Sequence, residues 1–203
     1  MCSKIRNILL DRDGTLIQDM HYLSDPEQVW LLPGVGQGLQ ALQAQGCRLF
    51  LVTNQSGIGR GYFTARAYQA CQTRLRDLLK NHQVKLTAET YCPHSPETKC
   101  LCRKPGSGQW DYLAAEYGLK ANETVLIGDK GTDIEFAHNC CLKYSILVLS
   151  GKGKEEAGKL GLPFYFQTAT LKLHKKTYPM SPDILAQNFS AVCNWILRFN
   201  KVL

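Results

Sequence analysis

The sequence predicts an α/β fold, an open parallel sheet with helices on both faces. Short apolar runs alternate along the chain with longer segments whose apolar residues recur at helical spacing. Each run also stops at a polar loop, as a strand buried on both faces does where it ends beside a ligand crevice. At 203 residues the chain can bury one sizeable core but not two comfortable ones. Residues 1–203 are therefore read as a single domain, with an irregular insertion at about 158–182.

The elements follow in order. Ile8-Leu9-Leu10 is the first buried-strand run. Val35 to Gln45 carries Leu39 and Leu42 at helical spacing, and Leu49-Phe50-Leu51-Val52 is the second strand run. Thr64 is placed to cap a helix reaching about His82, with Tyr68, Cys71, Leu75, Leu78 and Leu79 on its apolar stripe. Ser107 is placed to cap another, with Trp110, Leu113, Ala114 and Tyr117 on one face and Gly118 as its stop. Val125-Leu126-Ile127 and Ile146 to Leu149 are further strand runs, and Asn188 to Phe199 closes the chain as a helix. Between Gly158 and Pro182 no periodicity places an element.

Composition narrows the function classes. Hydrophobic residues make up 44% and charged residues 20%, as in soluble globular chains. The net charge of +7 suits an anionic partner: nucleic acid, a membrane surface or a phosphorylated metabolite. The basic residues are scattered, and no aromatic-basic cluster provides a base-stacking platform. A small phosphorylated substrate and a monomer are therefore expected, with neither nucleic acid nor membrane as partner. The run Ile8 to Leu10 is too short for a signal peptide, and no stretch approaches the roughly 18 apolar residues of a membrane span. A cytoplasmic setting is expected, in which nine cysteines read as free thiols or metal ligands.

The residues after the strand runs carry the chemistry. Asp11-Arg12-Asp13-Gly14-Thr15 puts two carboxylates two residues apart, one able to act as a nucleophile and the other as a general acid/base. Thr53-Asn54-Gln55-Ser56-Gly57 offers a hydroxyl, an amide and backbone donors to an anion. Lys104 precedes Pro105, and Gly128-Asp129 follows the next run with Asp133 four residues on. Singly, these are polar turns, a strand exit and a helix cap. Together they converge at one edge of one sheet, where several acids would repel and require a cation; hard oxygen ligands suit Mg²⁺.

Cys92, His94, Cys100 and Cys102 fall within eleven residues. Redox thiols or coincidence would also produce cysteines here. Paired soft ligands around a short loop fit a closed tetrahedral Zn²⁺ site of structural type. It would stiffen the loop that carries Arg103 and Lys104. Cys2, Cys47, Cys71, Cys140, Cys141 and Cys193 show no ligand pattern and read mostly as small core residues.

Asp11-Arg12-Asp13-Gly14-Thr15, Thr53, Lys104, and Gly128-Asp129 with Asp133 together resemble the haloacid dehalogenase superfamily of phosphatases. The resemblance implies a HAD-like fold in which Asp11 attacks phosphorus. Asp13 then protonates the leaving oxygen and later activates water, while Thr53 and Lys104 hold the phosphoryl oxygens. It further implies Mg²⁺ on Asp11, the main-chain carbonyl of Asp13 and Asp129, with Asp133 in support. The cysteine loop narrows the resemblance to a subfamily without a large cap domain. That subfamily holds the heptose 1,7-bisphosphate 7-phosphatases and the histidinol-phosphate phosphatases. Thr53 to Thr64, and Asp19 with Tyr22-Leu23 ahead of Pro33-Gly34, are similar to the heptose enzymes. By that likeness Asp19, Tyr22, Thr53, Asn54, Ser56, Arg103, Lys104 and Lys130 contact a sugar bisphosphate. His21 departs from the pattern, standing where the family has glycine. The likeness runs from about Lys4 to Leu149 and resumes near Asp183. The rival readings are a histidinol-phosphate phosphatase and a zinc-stabilised binding module; an inactive phosphatase kept for binding would have lost a catalytic acid, and Asp11, Asp13, Lys104 and Asp129 are all present.

Overall fold

A computed structural model describes residues 3–163, 167–173 and 181–202. Seven strands form one sheet: β1 (Asn7–Leu10), β2 (Arg48–Asn54), β3 (Ala88–Cys92), β4 (Thr124–Gly128), β5 (Tyr144–Val148), β6 (Thr170–Lys172) and β7 (Ile184–Ala186). Their order is β3-β2-β1-β4-β5-β7-β6, parallel throughout except that β6 runs antiparallel to β7. The chain winds outward from β1 through β2 to β3, then returns beside β1 and winds the other way through β4 and β5. That reversal opens a crevice at the carboxyl ends of β1, β2 and β4, where open α/β sheets bind ligands.

Period-two alternation explains why both faces are covered. Ile8, Leu10, Leu49, Leu51, Val125, Ile127, Ile146 and Val148 point into one apolar layer. There they meet α1 (Val35–Ala44), α3 (Ala65–Lys80) and α7 (Phe189–Lys201), the single turn α2 (Ser56–Gly59) lying between β2 and α3. Leu9, Phe50, Val52 and Leu126 point into the opposite layer, against α4 (Gly108–Tyr117) and α5 (Gly131–Asn139). A third cluster packs the short α6 (Gly153–Lys159) over Leu147 and Leu185. Such strands must be apolar at every position, which is why they read as uninterrupted runs.

The helix ends agree with the sequence in most places. Thr64 accepts from the Ala67 amide at 3.1 Å and starts α3; Asn188 does the same for Ala191 at 2.9 Å and starts α7. Gly118 closes α4 with φ of 61°. Ser107 occupies the capping position of α4, but its hydroxyl donates to Asp111 at 2.8 Å instead of satisfying a helix amide. Residues 158–182 are not wholly irregular. They include the end of α6 and the edge strand β6, whereas 164–166 and 174–180 lie outside the described residues, as does Cys2. Cys47, Cys71, Cys140 and Cys193 are buried as expected, while Cys141 is exposed. Among the described residues no helix is long and apolar enough to cross a membrane.

Candidate active site

The crevice gathers its groups from five strand exits. Asp11 follows β1 directly, its amide bound to the Ile127 carbonyl of β4 at 3.0 Å, and only 3% of its surface is exposed. Its Oδ1 accepts from Lys104 Nζ at 2.8 Å. The Lys104 ammonium spends its other donors on the Val52 carbonyl, at 2.8 Å, and on Asp133 Oδ1. The Asn54 amide clamps the Lys104 backbone from both sides, at 3.0 Å each. Asp133, in the first turn of α5, also accepts from the Lys130 amide at 3.1 Å, so it caps the helix and anchors the lysine at once. Asp129 is fully buried and accepts from the Lys152 amide at 2.9 Å.

Three carboxylates, Asp11, Asp129 and Asp133, offer oxygens within 4.8 Å of one another. Asp11 Oδ2 and Asp129 Oδ1 are buried without a hydrogen-bond partner. Lys130 Nζ approaches both, at 4.0 and 3.7 Å, and donates to the Asp13 carbonyl at 3.3 Å. Burial opposes the charge on Asp11, but Lys104 and Lys130 outweigh it and hold the carboxyl below the usual range. Burial, reinforced by Asp11 and Asp133, pushes the Asp129 carboxyl up to about 8 despite Lys130. Burial likewise opposes the Lys104 ammonium, and Asp11 and Asp133 override it and raise its pKa. Two orphaned hard oxygens beside a main-chain carbonyl form a donor set suited to a small divalent cation. Gly14 makes this packing possible: at φ of 85°, any Cβ would strike the Asp129 carboxylate.

Above this buried floor lies a cavity of about 360 Å³ lined by Asp13, Asp19, Tyr22, Asn54, Ser56, Arg103 and Lys130, among others. The structure thus brings these sequence-predicted contact residues to one space, with Asp11, Thr53, Lys104, Asp129 and Asp133 buried next to it. Asp19 approaches Lys130 at 3.9 Å and accepts from the His21 amide at 3.1 Å. His21 and Tyr22 both hold left-handed backbones, φ 52° and 65°, so His21 keeps the conformation that a glycine would adopt freely. Its ring meets Tyr22 edge-on, and Tyr22 meets Tyr62 the same way at 4.6 Å.

At the end of β3, Cys92, His94, Cys100 and Cys102 converge. The Sγ atoms of Cys92 and Cys100 are 3.7 Å apart. His94 Nδ1 is 3.6 Å from the Cys92 sulfur and 3.3 Å from that of Cys102. Ligands at ordinary zinc–sulfur distances around a tetrahedron sit about 3.8 Å apart, so this spacing fits the ion. Arg103 Nη1 donates to the His94 carbonyl at 3.4 Å, which ties the cysteine loop to the cavity wall.

Sequence reasoning did not single out the loop after β5. Ser150 donates to the Gly14 carbonyl at 2.8 Å, the Lys152 amide holds Asp129, and Lys152 is part of the cavity wall. The rule that ligands gather at strand exits would have reached it, since Ser150 follows the Ile146 to Leu149 run. Arg12 and Gln55 likewise carry no sequence signal beyond membership of their motifs.

Residues 101–171 match a family model described as HAD-hydrolase-like. The chain is 37% identical over 160 residues to the D-glycero-beta-D-manno-heptose-1,7-bisphosphate 7-phosphatase of Haemophilus ducreyi, covering 75% of this chain and 87% of that one. It is 36% identical over 151 residues to the enzyme of the same name from Haemophilus influenzae, covering 71% and 82%. In three dimensions it superposes on the D,D-heptose 1,7-bisphosphate phosphatase of B. bronchiseptica, a crystal structure complexed with magnesium and phosphate. The TM-score is 0.80 at 27% identity, over 96% of this chain and 99% of that chain.

Proposed function

The chain belongs to the heptose 1,7-bisphosphate 7-phosphatase family of HAD-like phosphatases, and on that premise we propose that it hydrolyses the 7-phosphate of a D-glycero-D-manno-heptose 1,7-bisphosphate. The observation that carries the reading is the buried centre, where Asp11 lies against Lys104 and within 4.0 Å of Lys130, which lines the cavity together with Arg103 and Lys152. In this reading the Asp11 carboxylate attacks phosphorus and forms an aspartyl phosphate. Asp13 gives a proton to the departing sugar oxygen and then takes one from the water that hydrolyses the intermediate. Lys104 and Thr53 hold the phosphoryl oxygens. Asp11, the Asp13 carbonyl and Asp129 would hold Mg²⁺, which offsets the repulsion between a carboxylate and a phosphate dianion. Asp133 positions Lys104, and Asn54 does so from the main-chain side as well as lining the cavity.

A bisphosphate has two anionic ends, and only one reaches Asp11. Asp19, Tyr22, Ser56, Arg103 and Lys130 line the space available to the rest of the substrate. Arg103 offers a planar fork for the distant phosphate. The test is phosphate release with Mg²⁺ from the heptose bisphosphate, histidinol phosphate and p-nitrophenyl phosphate. The bisphosphate is expected to exceed histidinol phosphate in kcat/KM by about a hundredfold or more; parity would favour the histidinol-phosphate reading. Arg103→Ala should lower kcat/KM for the bisphosphate by roughly ten- to a hundredfold, since a charge-assisted contact contributes about 1.5–3 kcal/mol. The aryl phosphate, with no second anchor, should lose far less. Equal losses would show that Arg103 serves the chemistry or the fold.

Cys92, His94, Cys100 and Cys102 would hold one structural Zn²⁺ per chain. Cys100→Ser is expected to lower bound zinc and the melting temperature together, read by metal analysis after dialysis and by thermal denaturation. Active wild-type protein free of zinc would rule the assignment out.

A further inference from the structure

Arg12 is the largest fully buried side chain among the described residues, with 1% of its surface exposed. Its guanidinium lies along the edge of the Asp13 carboxylate. Nε donates to both oxygens, at 3.2 and 3.1 Å, and Nη2 donates to Oδ1 at 3.0 Å. The Tyr68 ring, 5.0 Å from the guanidinium carbon, backs the cation from α3. Gln55 closes the other side: its Nε2 donates to Asp13 Oδ2 at 2.8 Å and to Thr53 Oγ1 at 3.0 Å, and its Oε1 accepts from Arg12 Nη2 at 3.1 Å. The orientation of that amide is dictated, because only its oxygen can accept from Arg12 and only its nitrogen can donate to a carboxylate. The Gln55 backbone amide is in turn fixed to the Cys92 carbonyl at 2.8 Å.

A carboxylate on a loop after a strand has free χ rotation unless its neighbours remove it. Here two oxygens meet four donor contacts from two buried side chains, and one of those side chains also bonds the hydroxyl proposed to hold phosphoryl oxygens. We propose that Arg12 and Gln55 are positioning residues for the proton-transfer step: they fix Asp13 where it can reach the leaving oxygen. The proposal rests on the reading of Asp13 as the acid that protonates this oxygen. In that step the P–O bond breaks, its electron pair stays on the sugar oxygen, that oxygen takes the Asp13 proton, and the Asp11 carboxylate forms the new bond to phosphorus. Arg12 and Gln55 border the cavity, but their side-chain hydrogen bonds run to Asp13, to Thr53 and to each other, so the role assigned to them is exerted through Asp13.

A general acid matters in proportion to the basicity of the leaving group. A sugar alkoxide cannot depart without a proton, whereas p-nitrophenolate can. The test is the ratio of kcat/KM for the sugar phosphate to that for p-nitrophenyl phosphate, measured on the same samples of wild type, Gln55→Leu, Arg12→Lys and Asp13→Asn. This ratio does not depend on the fraction of protein that is folded, and kcat/KM stops at departure of the leaving group, before water is activated. The ratio is expected to fall by about thirtyfold or more in Gln55→Leu and by about tenfold in Arg12→Lys, which keeps the charge but loses the fork. In Asp13→Asn, which loses the acid, it should fall by about a hundredfold or more. A selective loss in Asp13→Asn with an unchanged ratio in both other variants would overturn the positioning role and leave the acid assignment standing. An unchanged ratio in Asp13→Asn would remove the acid assignment and the positioning role with it.

Discussion

Asp11→Asn is expected to fold, bind zinc and release phosphate at less than about a thousandth of the wild-type rate. Asparagine matches aspartate in shape but has no anionic oxygen to form an acyl phosphate, and phosphate monoesters are among the substrates least reactive without catalysis. The variant keeps the packing of the centre. Lys104 retains Asp133 and the Val52 carbonyl as partners, and the substituted amide still offers an oxygen to the ammonium at the position of Oδ1. Its neutral side chain also relieves the repulsion that Asp11 exerts on Asp129. The melting temperature should therefore change by only a few degrees while turnover collapses. The measurement pairs phosphate release with thermal denaturation, and with mass analysis of acid-quenched enzyme for a phosphoryl adduct. Retention of even a tenth of wild-type turnover would exclude Asp11 as the nucleophile.

The legibility of this site follows from the architecture. Ile8-Leu9-Leu10, Leu49 to Val52 and Val125-Leu126-Ile127 are central strands covered on both faces, so each reads as a bare apolar run, and Asp11, Thr53 and Asp129 follow at or near the ends. β3 has no such signature. Ala88-Glu89-Thr90-Tyr91-Cys92 lies at the sheet edge and is half-exposed over four of its five residues, so nothing in its composition separates it from a loop. β6 and β7 are three residues each, shorter than any periodicity can define. Among the proposed site residues, local sequence reveals types but not pairings. Asn54 reads as a substrate ligand, yet its amide is committed to the Lys104 backbone fifty residues away. Arg12 stands in the sequence only as a member of its motif, yet it is the buried partner of Asp13, with Tyr68 of α3 over it. The Asn54–Lys104 pairing and the burial of Arg12 beneath Tyr68 arise from the packing of distant segments, which local spacing does not encode.

Lys104→Met should lower both activity and stability, and the stability loss should grow with pH. Methionine fills nearly the same volume but removes a charge that serves Asp11, Asp133 and the Val52 carbonyl together. Withdrawing one partner from a buried ion pair costs about 3–5 kcal/mol, a fall in melting temperature on the order of 10 °C for a chain of this size. Loss of a preorganised cation at the phosphoryl group should lower kcat by about a hundred- to a thousandfold. In the wild type, Lys104 helps to hold the Asp11 carboxyl below its usual range, so Asp11 contributes stability that is present above its unfolded value and is lost only as pH falls through the folded one. Without Lys104, burial dominates for Asp11 and for Asp133, whose carboxyl is already raised by burial, and both folded-state values move up. A raised carboxyl reverses the sign. The unfolded chain then ionises first, and stability is lost as pH climbs from the unfolded value near about 4 through the folded one. The raised Asp129 is common to both proteins and cancels to first order. The gap in melting temperature between wild type and Lys104→Met, measured without added Mg²⁺, is therefore expected to widen steadily from pH 5 to pH 8. A gap independent of pH would mean that Lys104 stabilises the fold by packing alone, and a variant within tenfold of wild-type turnover would remove it from the catalytic centre.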